Sequence, residues 1–207
     1  TPEGLVAAWS AGSAENATDT GVWSALLELN APITLVEGGE ELQVLEPWTK
    51  PVEIANGTGF NRDGGYEDTQ RTATWNPVLF LTPDNVLNLF YKLGSRQPEW
   101  WGMKKVSADF GKTWSQAEMR PMGEEISERI FGPIKNKPIL LQDGTLLAPS
   151  SYERTQRGDG WSVHVERSRD MGKTWQRTKP IEGMYSAIQP TLIQYPSGRI
   201  QLLARTT

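Results

Sequence analysis

Ser107-Ala108-Asp109-Phe110-Gly111-Lys112-Thr113-Trp114 recurs as Ser168-Arg169-Asp170-Met171-Gly172-Lys173-Thr174-Trp175. Both octets read S-x-D-x-G-K-T-W. At average residue usage, one match to S-x-D-x-G-x-T-W in a chain of this length has a chance of roughly 10⁻⁴, so two copies mark a structural repeat. The residue types suit a tight turn between strands. An Asp side chain accepts from nearby backbone N–H groups, Gly takes a positive φ, and the Trp packs inward as the next strand begins. Asp109 and Asp170 therefore read as staples rather than catalysts.

Working outward from each octet, the same strand order returns. Short apolar strands open at 77–80, 138–141 and 190–193, each followed by a turn at Pro83-Asp84-Asn85, Asp143-Gly144 or Ser197-Gly198. Second strands are expected at 86–93, 145–151 and 199–206. Third strands at 100–106 and 161–166 run into the octets, and a fourth follows each octet Trp. Residues 5–10, 21–29 and 48–55 fit a degraded version of the same unit. Four short antiparallel strands repeated about every 50 to 60 residues, without helical periodicity, predict an all-β propeller of four-stranded blades. The expected blades are 1–57, 71–120 and 133–180, with the start of another at 187–207. About three blades are thus expected in one partial propeller domain. Such an arc leaves strand edges to be covered by a second chain or a further segment.

Composition narrows the function classes. The 207 residues carry 37% hydrophobic and 22% charged side chains, as in ordinary globular proteins. A net charge of −4 without a basic run argues against nucleic acid, whose affinity comes from clustered Lys and Arg. No apolar run approaches the ~18 residues that a membrane helix needs. There is no cysteine, hence neither a disulfide framework nor a thiolate metal site; no metal or cofactor is expected. Asn16-Ala17-Thr18 and Asn56-Gly57-Thr58 are N-glycosylation sequons, which fit a secreted or extracellular glycoprotein.

The paired octets, with Arg71-Thr72-Ala73-Thr74-Trp75-Asn76-Pro77-Val78-Leu79-Phe80 and Gly132-Pro133-Ile134-Lys135-Asn136-Lys137-Pro138, resemble the sialidase-like BNR-repeat (Asp-box) family. Leu89-Phe90-Tyr91-Lys92, the stretch from Trp161 to Ser168, and Ile188-Gln189-Pro190-Thr191-Leu192 extend that resemblance over nearly the whole chain. It implies a six-bladed ring with a glycan site at the channel mouth, and an exo-glycosidase acting on a terminal acidic sugar. The Arg-Ile-Pro segment of genuine sialidases does not occur. Asn76, Lys137 and Gln189 hold the openings of the inner strands instead. A propeller-fold uronate lyase and a non-catalytic glycan-binding propeller are the competing readings.

Candidate site residues follow from position and chemistry. The segments 13–21, 58–75, 94–100, 121–137, 152–160 and 180–189 are expected on one face, opposite the octet turns. Lys135, Asn136 and Lys137 offer cationic and amide donors where the third inner strand begins. Asn76 and Gln189 hold the equivalent openings of the other inner strands. Arg71 and Arg205 could each grip both oxygens of a carboxylate. His164 is the only histidine; Glu166 lies on the same side of its strand, so the two make an acid/base couple or a structural pair. Tyr91, Tyr152 and Glu153 supply the hydroxyl and carboxylate that retaining hydrolysis would use, and Glu15 and Asp19 are possible acids. Among Trp75, Trp100 and Trp101, Trp100 or Trp101 could stack on a sugar face. In the octets, Ser107, Asp109, Gly111 and Trp114, with Ser168, Asp170, Gly172 and Trp175, are structural.

Overall fold

The computed structural model describes residues 4–28, 36–37, 40–41, 48–58, 71–96, 99–120, 129–153, 160–184 and 186–206. Fifteen strands and no α-helix are found among them. The first sheet has the order β1-β2-β5, with β1 Gly4–Ala11, β2 Gly21–Glu28 and β5 Val52–Ala55. A small hairpin of β3 Val36–Glu37 and β4 Glu40–Glu41 falls between β2 and β5. The second sheet runs β6 Thr74–Leu81, β7 Leu87–Leu93, β8 Trp101–Ser107 and β9 Glu118–Met119. The third runs β10 Ile139–Leu140, β11 Leu146–Glu153, β12 Trp161–Ser168 and β13 Gln176–Arg177. A final pair joins β14 Ala187–Gln194 and β15 Ile200–Thr206. All pairings are antiparallel.

The hairpins have a common cause. At β6–β7 and β14–β15 the turn closes on a residue whose backbone is left-handed, Asn85 (φ 62°) or Gly198 (φ 82°). Each gives its N–H to a carbonyl three residues back, at 2.9 Å for both Asn85 to Thr82 and Gly198 to Tyr195. Asn and Gly are the residues that tolerate that backbone, so the positions 85 and 198 fix hairpin register.

The octet turns are nearly superimposable in their bonding. Asp109 accepts from the Ser107 hydroxyl (2.7 Å), the Thr113 amide (2.9 Å) and the Thr113 hydroxyl (2.6 Å), while Ser107 Oγ accepts from Gly111 N–H (2.7 Å). Asp170 repeats this with Ser168 (2.7 Å) and Thr174 (2.8 and 2.5 Å), and Gly172 N–H donates to Ser168 Oγ (2.8 Å). The left-handed backbone covers two residues rather than the glycine alone: Phe110 (φ 57°) and Gly111 (φ 94°), Met171 (φ 55°) and Gly172 (φ 83°). These bonds hold both carboxyls at about 2. For Asp109 the Thr113 hydroxyl is the largest cause, whereas for Asp170 burial opposes the shift and is outweighed by Thr174 and Ser168. The strands after the octets, β9 and β13, are only two residues long.

Consecutive sheets pack against one another in chain order. β7 is buried along its whole length because both of its faces are covered. Side chains alternate, so Leu89, Tyr91 and Leu93 point one way, into a core shared with Val22, Ile54 and Ala55 of the first sheet. Phe90 points the other way, packing with Val78 against Leu146, Ala148 and Trp175 of the third sheet. Trp175 meets Phe90 edge-on at 6.0 Å and donates its indole N–H to Gly172 O at 3.0 Å. β14 in turn lies against β11 and β12.

Candidate functional site

Where the four sheets meet, backbone irregularity concentrates. The β6–β7 register shifts between Trp75 and Val78, and the β14–β15 register between Ile188 and Thr191. At the two bulges Asn76 (φ 48°) and Gln189 (φ 52°) are left-handed, although each is followed by proline, which steers its predecessor toward extended backbone. Non-glycine residues in this conformation are uncommon, and bulges re-aim side chains. Both residues line one cleft, and Lys135 (φ 62°) stands between them on its wall.

That cleft, of about 150 Å³, takes residues from the second, third and last sheets and from the β1–β2 loop. The β1–β2 loop brings Glu15; β6 brings Trp75 and Asn76; the position just before β8 brings Trp100. The third sheet adds Ser151, Tyr152 and Trp161, and the last pair adds Ile188, Gln189 and Arg205. Phe131, Ile134 and Lys135 come from the segment before β10. Arg205 is exposed; its Nε donates to Gln189 Oε1 at 2.8 Å, and its guanidinium lies 6.0 Å from the Trp161 ring centre. The bond to Gln189 uses one of the five donors of the fork. Trp75 and Trp100 stand with ring centres 5.1 Å apart, and Trp75 is pinned by donating to Gly94 O at 2.8 Å. Tyr152 is buried beneath the Arg177 guanidinium, 4.4 Å from its ring centre. A larger cleft of about 410 Å³ adjoins, sharing Glu15, Trp75, Asn76 and Lys135 with the first.

Among the sequence-derived candidates, the structure thus brings together Asn76, Lys135, Gln189, Arg205 and Trp100, with Glu15 and Tyr152. It places others elsewhere. Arg71 forms an ion pair with Glu53 and donates to Asp19 O at 3.0 Å, so its guanidinium braces the first sheet. Asp19 caps its own loop, accepting from the Ser13 amide and hydroxyl. Asn136 spends its amide on Gln189 O (3.0 Å) and Pro190 O (2.9 Å), tying the third sheet to the fourth. Lys137 is exposed and lines neither cleft. Tyr91 is buried in the core between the first two sheets, where desolvation pushes its phenol well above the usual range. Trp101 belongs to the same core, so of the two neighbouring tryptophans only Trp100 faces the cleft. Glu153 ends β11 opposite Trp161. Asn16 lies on the wall of the larger cleft, and Asn56 is exposed, its Oδ1 accepting from the Thr58 hydroxyl at 2.7 Å. The segments 59–70, 121–128 and 154–159, expected on the ligand side, lie outside the described residues.

His164 is fully buried, which removes it from the cleft. Its Nε2 is 3.2 Å from Glu166 Oε1, and Nδ1 has no hydrogen-bond partner among the described residues. Burial lowers its pKa below the usual 6.5 against the opposing pull of Glu166. The neutral ring with its proton on Nε2 fits the contact with Glu166. Glu166, also fully buried, accepts from Phe131 N–H (2.8 Å) and Gly132 N–H (2.7 Å). The pair is therefore structural, and holds the segment that carries Phe131 to Lys135 into the cleft.

Trp161 and Ser151 are cleft residues that sequence reasoning did not single out. Position in the repeat gave no signal: Trp161 opens β12 just as Trp101 opens β8, yet Trp101 turns into the core.

The model of the BNR repeat-like domain matches residues 3–207. Among curated protein sequences none matches the chain. A protein of unknown function from Dyadobacter fermentans has a similar structure at 15% identity and TM-score 0.68, covering 100% of this chain and 59% of its own. The Hadza microbial sialidase Hz136 is similar at 14% identity and TM-score 0.68, over 99% of this chain and 40% of its own. A Trypanosoma rangeli sialidase in complex with 2,3-difluorosialic acid is similar at 12% identity and TM-score 0.63, over 99% and 32%. The chain therefore spans less than two thirds of the length of each.

Proposed function

The chain belongs to the BNR repeat-like domain family, and on that premise we propose that it is a carbohydrate-active protein that hydrolyses the bond to a terminal acidic sugar in the 150 Å³ cleft. The observation that carries this reading is the convergence, from three sheets and the β1–β2 loop, of one guanidinium, one ammonium, two amides, one carboxylate and three tryptophan rings. In a chain of net charge −4, Arg205 and Lys135 on one cleft are suited to a carboxylate. Asn76 and Gln189 offer donors and acceptors to hydroxyls, and Trp75, Trp100 and Trp161 offer faces to a pyranose. In this reading Glu15 gives its proton to the leaving oxygen. The Tyr152 phenol gives its proton to cleft water and its oxygen attacks the anomeric carbon as the glycosidic bond breaks; a second water then displaces Tyr152 and returns a proton to the Glu15 carboxylate. The sheets are read as consecutive blades of a six-bladed ring, with the cleft at its channel mouth and further chain completing it.

Uronate elimination ranks lower because His164, the histidine it would draw on, is buried against Glu166. The test is a comparison of release from aryl sialosides and aryl glucuronides with the ultraviolet absorbance that elimination creates. Hydrolysis abolished in Glu15→Gln supports the reading. Absorbance growth without hydrolysis would replace it with a lyase, and saturable binding without either would replace it with a binder.

A further inference from the structure

We infer that the seam between the second and third sheets takes up a small inorganic anion, of the size of chloride, on the Arg120 guanidinium. Three cations of the second sheet are buried in this seam: Lys92 on β7, Lys104 on β8 and Arg120 directly after β9. They share one face of the sheet. Lys92 stands opposite Gly102 across β7–β8, the Arg120 amide donates to Gly102 O at 2.8 Å, and Lys104 lies two residues along β8 from Gly102. Among the described residues, the third sheet brings one buried carboxylate against them, Glu166. Its oxygens are already engaged by the Phe131 and Gly132 amides and by His164 Nε2.

The three cations differ in what they meet. Lys92 donates to Phe131 O and Pro133 O, and Lys104 donates to Gly172 O at 3.2 Å. The Arg120 guanidinium lies 5.7 Å from the Trp175 ring centre, and its Nε and Nη2 are buried without a hydrogen-bond partner. Those two nitrogens form one edge of the guanidinium, whose parallel N–H groups suit a single anion held by both. A water molecule would satisfy the donors and leave the charge. Three buried cations against one buried carboxylate make the seam positive, and a buried charge without compensation is strongly destabilising. The other carboxylates that act on Arg120 do not close the balance: Glu118 is exposed, and Asp170 is taken up by its own turn. Burial holds Lys92, Lys104 and Arg120 all below their ordinary pKa ranges, as expected where opposite charge is lacking. The inference does not depend on the acidic-sugar reading of the cleft.

The test is thermal unfolding of the whole chain in sodium chloride and in sodium gluconate at equal ionic strength, gluconate being too large for a buried seam. Chloride should raise Tm saturably, by about 3–6 °C once it stands tenfold above its dissociation constant, and gluconate should not. The response should persist in Arg205→Ala, whose guanidinium belongs to the cleft. It should vanish in Arg120→Met, and shrink in Arg120→Lys, which keeps the charge and loses the two-donor edge. Crystals of the unmodified chain grown in sodium bromide locate the ion without any variant: an anomalous peak is expected within hydrogen-bonding distance of Arg120 Nε and Nη2. Equal melting in the two salts, a chloride response that survives Arg120→Met, or bromide seated only elsewhere would overturn the inference.

Discussion

Lys92 and Glu166, from neighbouring sheets, close on one three-residue segment, 131–133, from opposite chemical sides and share Phe131. The Lys92 ammonium donates to the carbonyls of Phe131 (2.5 Å) and Pro133 (3.1 Å), while the Glu166 carboxylate accepts from the amides of Phe131 and Gly132. Both side chains are fully buried. Removing Glu166 would strand two amide donors and leave the buried cation uncompensated. Glu166→Ala should lose about 3–5 kcal/mol in urea unfolding, and Glu166→Gln, which keeps an acceptor, should lose less. Equal stability of Glu166→Ala and the unmodified chain would refute this account.

Burial lowers Lys92 to about 7, with Glu166 raising it and Arg120 lowering it. In the unfolded chain the same amine stays protonated to about 10.4. Between those two values the unfolded state binds the extra proton, so stability should rise with pH from about 7 toward 10. His164, also lowered by burial, has the same sign in a lower window: stability rises as pH approaches 6.5 from below. Urea midpoints measured across pH should show both slopes. Lys92→Met should reduce the upper slope, to which Lys104 and Lys105, also lowered by burial, add with the same sign, and His164→Gln should flatten the lower; an upper slope unchanged in Lys92→Met contradicts the assignment.

Arg205 and Arg71, read alike from sequence, should part experimentally. Arg205→Ala should weaken an acidic sugar by ~1.5–3 kcal/mol, as a charged hydrogen bond does, with no change in Tm because Arg205 is exposed. Arg71→Ala should leave affinity alone and lower stability by up to about 1 kcal/mol, since its partner is the half-exposed Glu53. Calorimetry and thermal melts on both variants check this, and the reverse pattern would return the clamp to Arg71.

Asp109→Ala and Asp170→Ala should each lower Tm by about 2–4 °C and leave glycan affinity intact, because each Asp bonds only within its own turn. With both carboxyls at about 2, the turns should keep their contribution above about pH 4 and lose it as pH falls toward 2. A variant with unchanged Tm and weakened binding would place the turn in the site.

The strand order and both turns were legible because they depend on local chemistry: Asp with Ser and Thr in one octet, Gly or Asn at a hairpin. Of the loop face expected from segment length, Glu15, Trp100, Lys135 and Gln189 meet at one cleft, while 59–70, 121–128 and 154–159 lie outside the described residues. Which residues on it meet was not legible, since this depends on pairings across sheets. Arg71 looks free until Glu53, eighteen positions earlier in sequence, is folded beside it. Asn136 looks like a ligand donor until the Gln189 and Pro190 carbonyls arrive. His164 and Glu166 were placed correctly on one side of a strand, but alternation cannot say that this side is covered by Tyr152 and the segment at 131–132. The bulges at Asn76 and Gln189 were hidden because proline predicts the opposite backbone for its predecessor.

The seams between sheets follow one chemical rule. Lys105 donates to Ile54 O, Lys104 to Gly172 O, Lys92 to Phe131 O and Pro133 O, and Asn136 to Gln189 O and Pro190 O. In each bond the acceptor is main chain, which every residue type possesses. A seam of this kind constrains the donor alone. The hydrogen bond itself is indifferent to the side chain at Ile54, Phe131 or Gln189: what restricts Ile54 and Phe131 is their burial in the core, not the lysine that crosses the seam. Neighbouring units can therefore diverge separately while still docking, which makes a repeat of this construction open to duplication and exchange.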